Sequence, residues 1–281
     1  MNRHESATYD QDLFAGTAAY YARYRPPYPA AAIDHLVDVF RLGAGSPVLD
    51  LGCGTGQLAV PLAVAGCRVW AVDPDPEMVD EGARGVPGDL AGEIRWHVAR
   101  AEDLRASDLP TMRLCTMGAS FHWMDRDGVL AFLDGVVEPD GGVALVSGSA
   151  SIWSRDGTLQ GPWVEVTREV VTQFLGPRRR AGSGTYSHPQ RTHQQVLADS
   201  AFHVVEQRRF TTHRLLSVDE VIGQQLSTSY ASPVQLGERL PEFRRELARR
   251  LRDIVPDEGF PTVEHTDVIV ARRGGGGGGT G

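Results

Sequence analysis

Apolar positions along the chain alternate between two periods, one of short runs and one of spacing near 3.6 residues, and this alternation predicts the elements. Ile33, Leu36, Val37 and Phe40 recur at helical spacing, so Ala30 to Phe40 is expected as an amphipathic helix. A short apolar run, Pro47 to Leu51, then reads as a strand that ends in the glycine-rich turn Gly52 to Gly56. Helices are expected over Leu58 to Ala65, Glu77 to Arg84 and Asp125 to Val137. Between and after them, strands are expected over Arg68 to Val72, Ile94 to Val98, Arg113 to Met117 and Gly142 to Ser147. Such alternation predicts an α/β fold, a parallel sheet with helices on both faces.

From Ser151 to His188 the rhythm breaks. Trp153, Trp163, Phe174 and Tyr186 are interspersed with glycine and arginine, and a helix is expected around Trp163 to Leu175. Two readings stand for this insertion: a mobile cover over a bound molecule, or a helical excursion packed on the sheet edge or another subunit. Beyond it come helices His193 to Asp199, Val218 to Leu226 and Glu242 to Ile254, and two late strands, Phe202 to Thr211 and Val263 to Ala271. Those strands are expected to pair antiparallel at a sheet edge through a short connection. The chain divides into a cover segment, 1–29, a main domain, 30–273, and a glycine tail, 274–281, expected to be disordered because polyglycine buries nothing.

Composition narrows the chemistry. Of 281 residues, 28 are basic against 36 acidic, and every basic residue is arginine, which removes lysine Schiff bases and the P-loop lysine from consideration. A net charge of −8 without a dense basic stripe disfavours nucleic acid as a partner. No apolar run is long enough to span a membrane and Met1 to Gly16 lacks an apolar core, so a cytoplasmic location is expected. Cys53, Cys67 and Cys115 form no C-x-x-C pair, and the histidines have no metal-ligand spacing, so no metal is expected.

The turn "VLDLGCGTGQ" is the informative motif. Gly52, Gly54 and Gly56 follow a strand and precede a helix, where glycine lets a ligand approach main-chain amides. Asp50 lies just before them, where a carboxylate repels pyrophosphate and suits a cation. Asp73 ends the next strand, where such folds bind ribose hydroxyls. A ribose joined to a positively charged group describes S-adenosylmethionine. The bland alternative is a plain strand-to-helix turn with two solvated carboxylates.

Through "YARYRPPYP", "VLDLGCGTGQLAVPLA", "VWAVDPDPEMVD", "ARAEDL" and "FHWMDR", about residues 20 to 150, the chain resembles the class I S-adenosylmethionine-dependent methyltransferases, in their ubiquinone-biosynthesis-like, small-molecule branch. The resemblance implies a Rossmann-like, seven-stranded, mostly parallel sheet with an N-terminal cover and an insertion after the fifth strand. It places Gly52, Gly54 and Gly56 under the amino-acid part of the cofactor, Asp73 with neighbouring Pro74 at the ribose, Met78 on adenine, and Ala101 with Glu102 at the adenine edge. Gly118, at the end of the fourth strand, and Tyr24 join that set, with Arg25 near the cofactor carboxylate; the alternative for Tyr24 is that the preface aromatics staple an N-terminal helix onto the core. Arg100 stands where many relatives have an aspartate for the adenine amino group, which leaves that contact to the backbone at Ala101 and Glu102.

Candidates for the acceptor side are Tyr9 and Tyr21, whose rings suit a sulfonium or protonated amine, and Phe121 and His122, which follow the fourth strand with Trp123. His122 is a candidate general base, or else serves the pocket or the helix start. The absence of an Asn/Asp-Pro-Pro-Tyr/Phe motif speaks against a nucleobase acceptor. The preface and "FHWM" further resemble the lincosamide N-methyltransferases, which implies N-methylation of an antibiotic-like small molecule; O- or C-methylation, or cofactor binding without catalysis, are the alternatives. The product would be S-adenosylhomocysteine, and a homo-oligomer is compatible with the sequence. A nicotinamide oxidoreductase is disfavoured by Asp50 and the G-x-G-x-G spacing.

Overall fold

The structure, a computed structural model, describes residues 13–148, 151–153, 159, 161–177, 180–181, 184–185, 190–254 and 259–274, with side chains of 178–189 outside the description. In chain order, α1 (Ala18–Tyr24) and α2 (Ala30–Phe40) precede β1 (Pro47–Leu51), α3 (Ala59–Val64), β2 (Arg68–Asp73), α4 (Pro76–Arg84), β3 (Glu93–Val98), β4 (Met112–Gly118), α5 (Arg126–Val136) and β5 (Val137–Ser147). The second half adds α6 (Pro162–Leu175), the two-residue strands β6 (Arg180–Ala181) and β7 (Gly184–Thr185), α7 (His193–Ala198), β8 (Val204–Leu216), α8 (Val218–Leu226), α9 (Pro233–Leu236), α10 (Leu240–Ile254) and β9 (Phe260–Arg272).

Seven strands form one sheet in the order β3-β2-β1-β4-β5-β9-β8, with β1 to β5 mutually parallel and β9 antiparallel to both β5 and β8. Strand alternation divides the core. Val48, Val69, Leu114 and Ala144 face α2 and α3, whereas Leu49, Val72, Cys115, Met117 and Leu145 face α5 and α7. A third apolar layer is helical: Trp163, Val170 and Phe174 of α6 join Val221 and Leu226 of α8, Phe243, Leu247 and Leu251 of α10, and Phe260.

The seven-stranded Rossmann-like architecture agrees with expectation, with two differences of detail. Helix α1, in the tyrosine-arginine preface, is the N-terminal helix of the alternative reading, with Tyr24 packed beside Gly223. The strand read from Gly142 starts at Val137, directly after α5, with a register irregularity that absorbs the polar Glu138 to Gly141. The late strands do pair antiparallel, but residues 217–259, with three helices, connect them in place of a short turn. The described part of the insertion is the packed helical excursion, since Trp163 and Phe174 are buried core residues. The glycine tail from 275 onward lies outside the described residues.

Candidate active site

The strand order reverses between β1 and β4, both of which continue into loops at their carboxyl ends; in open α/β sheets that crevice is where ligands bind. Gly52 leaves β1 with φ +65°, and a Cβ there would lie 2.4 Å from the Cβ of Ser120, so a side chain cannot be accommodated. Ser120 reaches back and donates its hydroxyl to the Leu51 carbonyl (2.7 Å), while the Gly52 and Cys53 amides donate to the Val72 carbonyl (2.8 and 3.0 Å). The Gly54 amide donates to Asp73 Oδ2 (2.8 Å) and the Asp75 amide to Asp73 Oδ1 (3.0 Å). One carboxylate thereby fixes the glycine loop to the start of α4. Asp75 caps that helix by accepting the Glu77 amide, which turns Met78 inward.

A pocket of about 660 Å³, counted with its open mouth, lies above these loops. Its floor and one wall are Gly52, Gly54, Asp73, Pro74, Met78 and Ala99 to Glu102; the other wall is Gly118 to Ser120 with Trp123 and Met124; Phe14 and Tyr21 close over it. The two roof rings meet edge to face, with centroids 6.2 Å apart. Glu102 accepts the Asp125 amide (3.0 Å) and pairs with Arg100 (3.5 Å), tying the loop after β3 to the loop after β4.

A second recess, about 220 Å³, shares Tyr21, Gly52 and Gly118 with the first and is otherwise lined by Tyr28, Asp50, Cys53, Gln57 and Leu58. Asp50 and Thr116 are register partners on β1 and β4, and the Thr116 hydroxyl donates to Asp50 Oδ1 (2.7 Å). The other oxygen, Asp50 Oδ2, is buried and lies outside good hydrogen-bond geometry with any described donor. Burial pushes the Asp50 carboxyl up to about 7, against the pull of the Thr116 hydroxyl and the Ala59 backbone amide. Asp73 is pushed up to about 6 by the same cause, against its two backbone hydrogen bonds. The Tyr21 phenol is raised by burial, with Arg25 acting in the opposite sense.

Of the residues singled out from the sequence, Tyr21, Gly52, Gly54, Asp73, Pro74, Met78, Ala101, Glu102 and Gly118 line the larger pocket, and Asp50 lines the recess. Five others lie elsewhere. Gly56 faces Trp96 and Val60, where a Cβ would meet the indole at 2.8 Å, so it admits a packing contact. Tyr24 stacks on Tyr20 and fills the space beside Gly223 on α8. Arg25 lies over the Tyr21 ring (5.0 Å to the centroid) and donates from Nη2 to the Ser227 carbonyl (3.2 Å), outside the lining of either cavity. Phe121 is buried in the α5-side core, 5.2 Å from the His193 ring, and His122 lies between Trp123 and His193. A single 3-10 turn over Phe121–Trp123 swings Trp123 and Met124 to the pocket and the first two residues away from it. Tyr9 lies outside the described residues, as do His188 and Tyr186. Phe14, Met124, Tyr28 and Gln57 went unnoticed in the sequence; only the aromatic character of Phe14 and Tyr28, within or beside the preface, was a signal.

A methyltransferase-domain model matches residues 48–141, the span from β1 into β5. An uncharacterized methyltransferase of Mycobacterium tuberculosis is 31% identical over 242 residues, covering 85% of this chain and 86% of the relative. A methyltransferase-like protein of Schizosaccharomyces pombe, also uncharacterized, is 27% identical over 262 residues, 92% of this chain and 91% of its own. Among solved structures, a proposed type II methyltransferase from Anaeromyxobacter dehalogenans superposes with a TM-score of 0.57 at 21% identity, covering 89% of this chain and 98% of that one; it shares the fold. The chain belongs to the class I S-adenosylmethionine-dependent methyltransferases. Its cofactor is S-adenosylmethionine.

The residues present fit that cofactor. The unpartnered, buried Asp50 Oδ2 is an acceptor for an ammonium, and Asp73, held by two amides, keeps lone pairs for a diol.

Proposed function

We propose that the enzyme methylates a nitrogen of a small molecule, an antibiotic-like intermediate of specialised metabolism, with residues 30–273 as the methyltransferase domain and 1–29 as its cover. When bound, S-adenosylmethionine supplies an electrophilic methyl carbon on a sulfonium. Asp73 would hold the ribose hydroxyls, Met78 and the backbone of Ala101 and Glu102 the adenine, and Asp50 the ammonium. Phe14 and Tyr21 exclude water, and Tyr21, at the junction of pocket and recess, presents its ring to positive charge.

The observation that carries the choice of nitrogen is the absence of a poised base among the described lining residues. Of the carboxylates there, Asp73 and Glu102 accept from backbone amides, Asp50 holds Thr116 with one oxygen and is assigned the cofactor ammonium with the other, and His122 is turned toward His193. An amine that has already released its proton needs only orientation and in-line approach, whereas a phenol or alcohol calls for a base. The resemblance of the preface and "FHWM" to lincosamide N-methyltransferases supports the same reading.

The test is methyl transfer from labelled S-adenosylmethionine to matched small amines and phenols, with products read by mass spectrometry. N-methyl products are expected. Methylation of phenols alone would overturn the choice of nitrogen.

A further inference from the structure

The contacts assigned to the cofactor leave part of the pocket unused. In the reading above, Asp73, Pro74, Met78 and Ala99 to Glu102 face its adenosine, and Asp50 takes its ammonium. What remains is the roof, Phe14 and Tyr21, and the wall from Gly118 to Ser120 with Trp123 and Met124. Polar groups of that wall are engaged within the fold: the Ser120 hydroxyl donates to the Leu51 carbonyl (2.7 Å), and the Ala119 amide to the Val146 carbonyl (2.8 Å). Phe14, Tyr21, Trp123 and Met124 are each half-buried and keep apolar surface that a guest covers on binding. The roof is tethered as well. The Thr17 hydroxyl donates to the Phe14 carbonyl (2.7 Å), and the Gly16 amide to Glu77 Oε2 of α4 (3.1 Å). A preformed apolar wall of this kind selects an apolar body.

Charge excludes one kind of guest. Among the described residues that line the pocket and the recess, Asp50, Asp73 and Glu102 are acidic and Arg100 alone is basic. Arg100 pairs with Glu102 (3.5 Å), at the end assigned to adenine. Arg25 lies against the Tyr21 ring, outside the lining of either cavity, and donates to the Ser227 carbonyl (3.2 Å). A carboxylate or phosphate on the acceptor would thus lose its hydration against a wall that offers no cation in return. Aromatic faces act in the opposite sense, because the ring quadrupole attracts positive charge. The lining favours a neutral or cationic guest over an anionic one.

We propose that the methyl acceptor is an amine with an apolar, aromatic body and no acid group, an arylalkylamine by chemical class, whose body lies against Phe14, Trp123 and Met124. This rests on the methyl-transfer reading and on nitrogen as the acceptor atom. The unprotonated nitrogen gives its lone pair to the new N–C bond, the sulfur keeps the pair of the broken S–C bond, and one proton leaves the nitrogen for solvent.

Calorimetry on the full chain saturated with S-adenosylhomocysteine tests it, with phenethylamine against L-phenylalanine, tryptamine against L-tryptophan, and ethanolamine as an amine without an apolar body. At least one arylalkylamine is expected to bind tenfold or more tightly than both its amino acid and ethanolamine. Met124→Arg, which supplies a cation to the wall, should narrow the preference over the amino acid at least threefold. Trp123→Leu, which removes an aromatic face, should narrow the preference over ethanolamine by a similar factor. Both readouts are ratios taken within one protein, so a partly misfolded variant does not mimic them. An amino acid bound as tightly as its amine, ethanolamine bound as tightly as either arylalkylamine, binding of none of them, or a ratio unchanged in either variant overturns the proposal. Failure of the unmodified chain to bind S-adenosylhomocysteine overturns instead the methyl-transfer reading beneath it, and methylation of phenols alone overturns the choice of nitrogen.

Discussion

Asp50 is buried with one oxygen on the Thr116 hydroxyl, and burial outweighs that hydrogen bond in its titration. Its carboxyl titrates near 7 in the folded chain against 3.8 ordinarily, so between about pH 4 and 7 the native state holds a proton that the unfolded chain has released. Stability contributed at low pH is thus lost as pH rises through that window, at up to about 1.4 kcal/mol per pH unit. Asp73 adds the same sign up to about 6. Thermal midpoints of the cofactor-free chain and of Asp50→Asn, followed from pH 4.5 to 7.5, should converge at the acid end and separate in favour of the variant above pH 7. Asp73→Ala should weaken S-adenosylhomocysteine binding at least tenfold by calorimetry, since it removes the proposed ribose partner and frees the Gly54 amide together. Residues of this kind were legible in the sequence because strand end, turn and helix start lie within a few positions of one another. Phe121 and Trp123 were not distinguishable there, because a single 3-10 turn decides which of the two rings enters the core.

At the level of elements, the parallel strands and their helices follow from periodicity, and the boundaries shift by a residue or two. Helix α1 was legible only as an alternative because its seven residues present no long apolar period, and a helix that short is held mainly by what it touches. Its entry is pinned by the Gly16 amide on Glu77 Oε2 (3.1 Å), and Tyr24, at its end, occupies the space beside Gly223. The approach of α4 to β3 depends on another glycine. A Cβ at Gly82 would meet the Trp96 ring at 2.5 Å and the Thr55 backbone at 3.1 Å. Gly82→Ala should therefore destabilise the chain by about 1–3 kcal/mol in denaturant titration, and pairing it with Trp96→Leu should recover part of that loss. Independence of the two substitutions would show that the indole is not the obstacle.

Across the whole molecule, the cover segment spans two bodies of packing: α1 contacts α4 of the sheet layer and α8 of the helical layer, and Arg25 and Tyr24 complete the second contact. Truncating Phe243, fully buried where α10 meets α6, should cost about 3–5 kcal/mol and lower the thermal midpoint. Saturating S-adenosylhomocysteine should act oppositely, adding about 2.7 kcal/mol at a hundredfold excess over its Kd, and no rise in midpoint would contradict the assigned cofactor. By itself the sequence determined the sheet class, the glycine turn and the carboxylates that flank it, since each depends on spacing over a few residues and on backbone geometry that only certain side chains allow. The tertiary structure alone decided that Arg25 turns to α8, that Asp50 keeps one oxygen unpaired, and that Trp123 reaches the pocket in place of Phe121. Those outcomes depend on which distant elements meet, and a contact between residues two hundred positions apart leaves no local period to read.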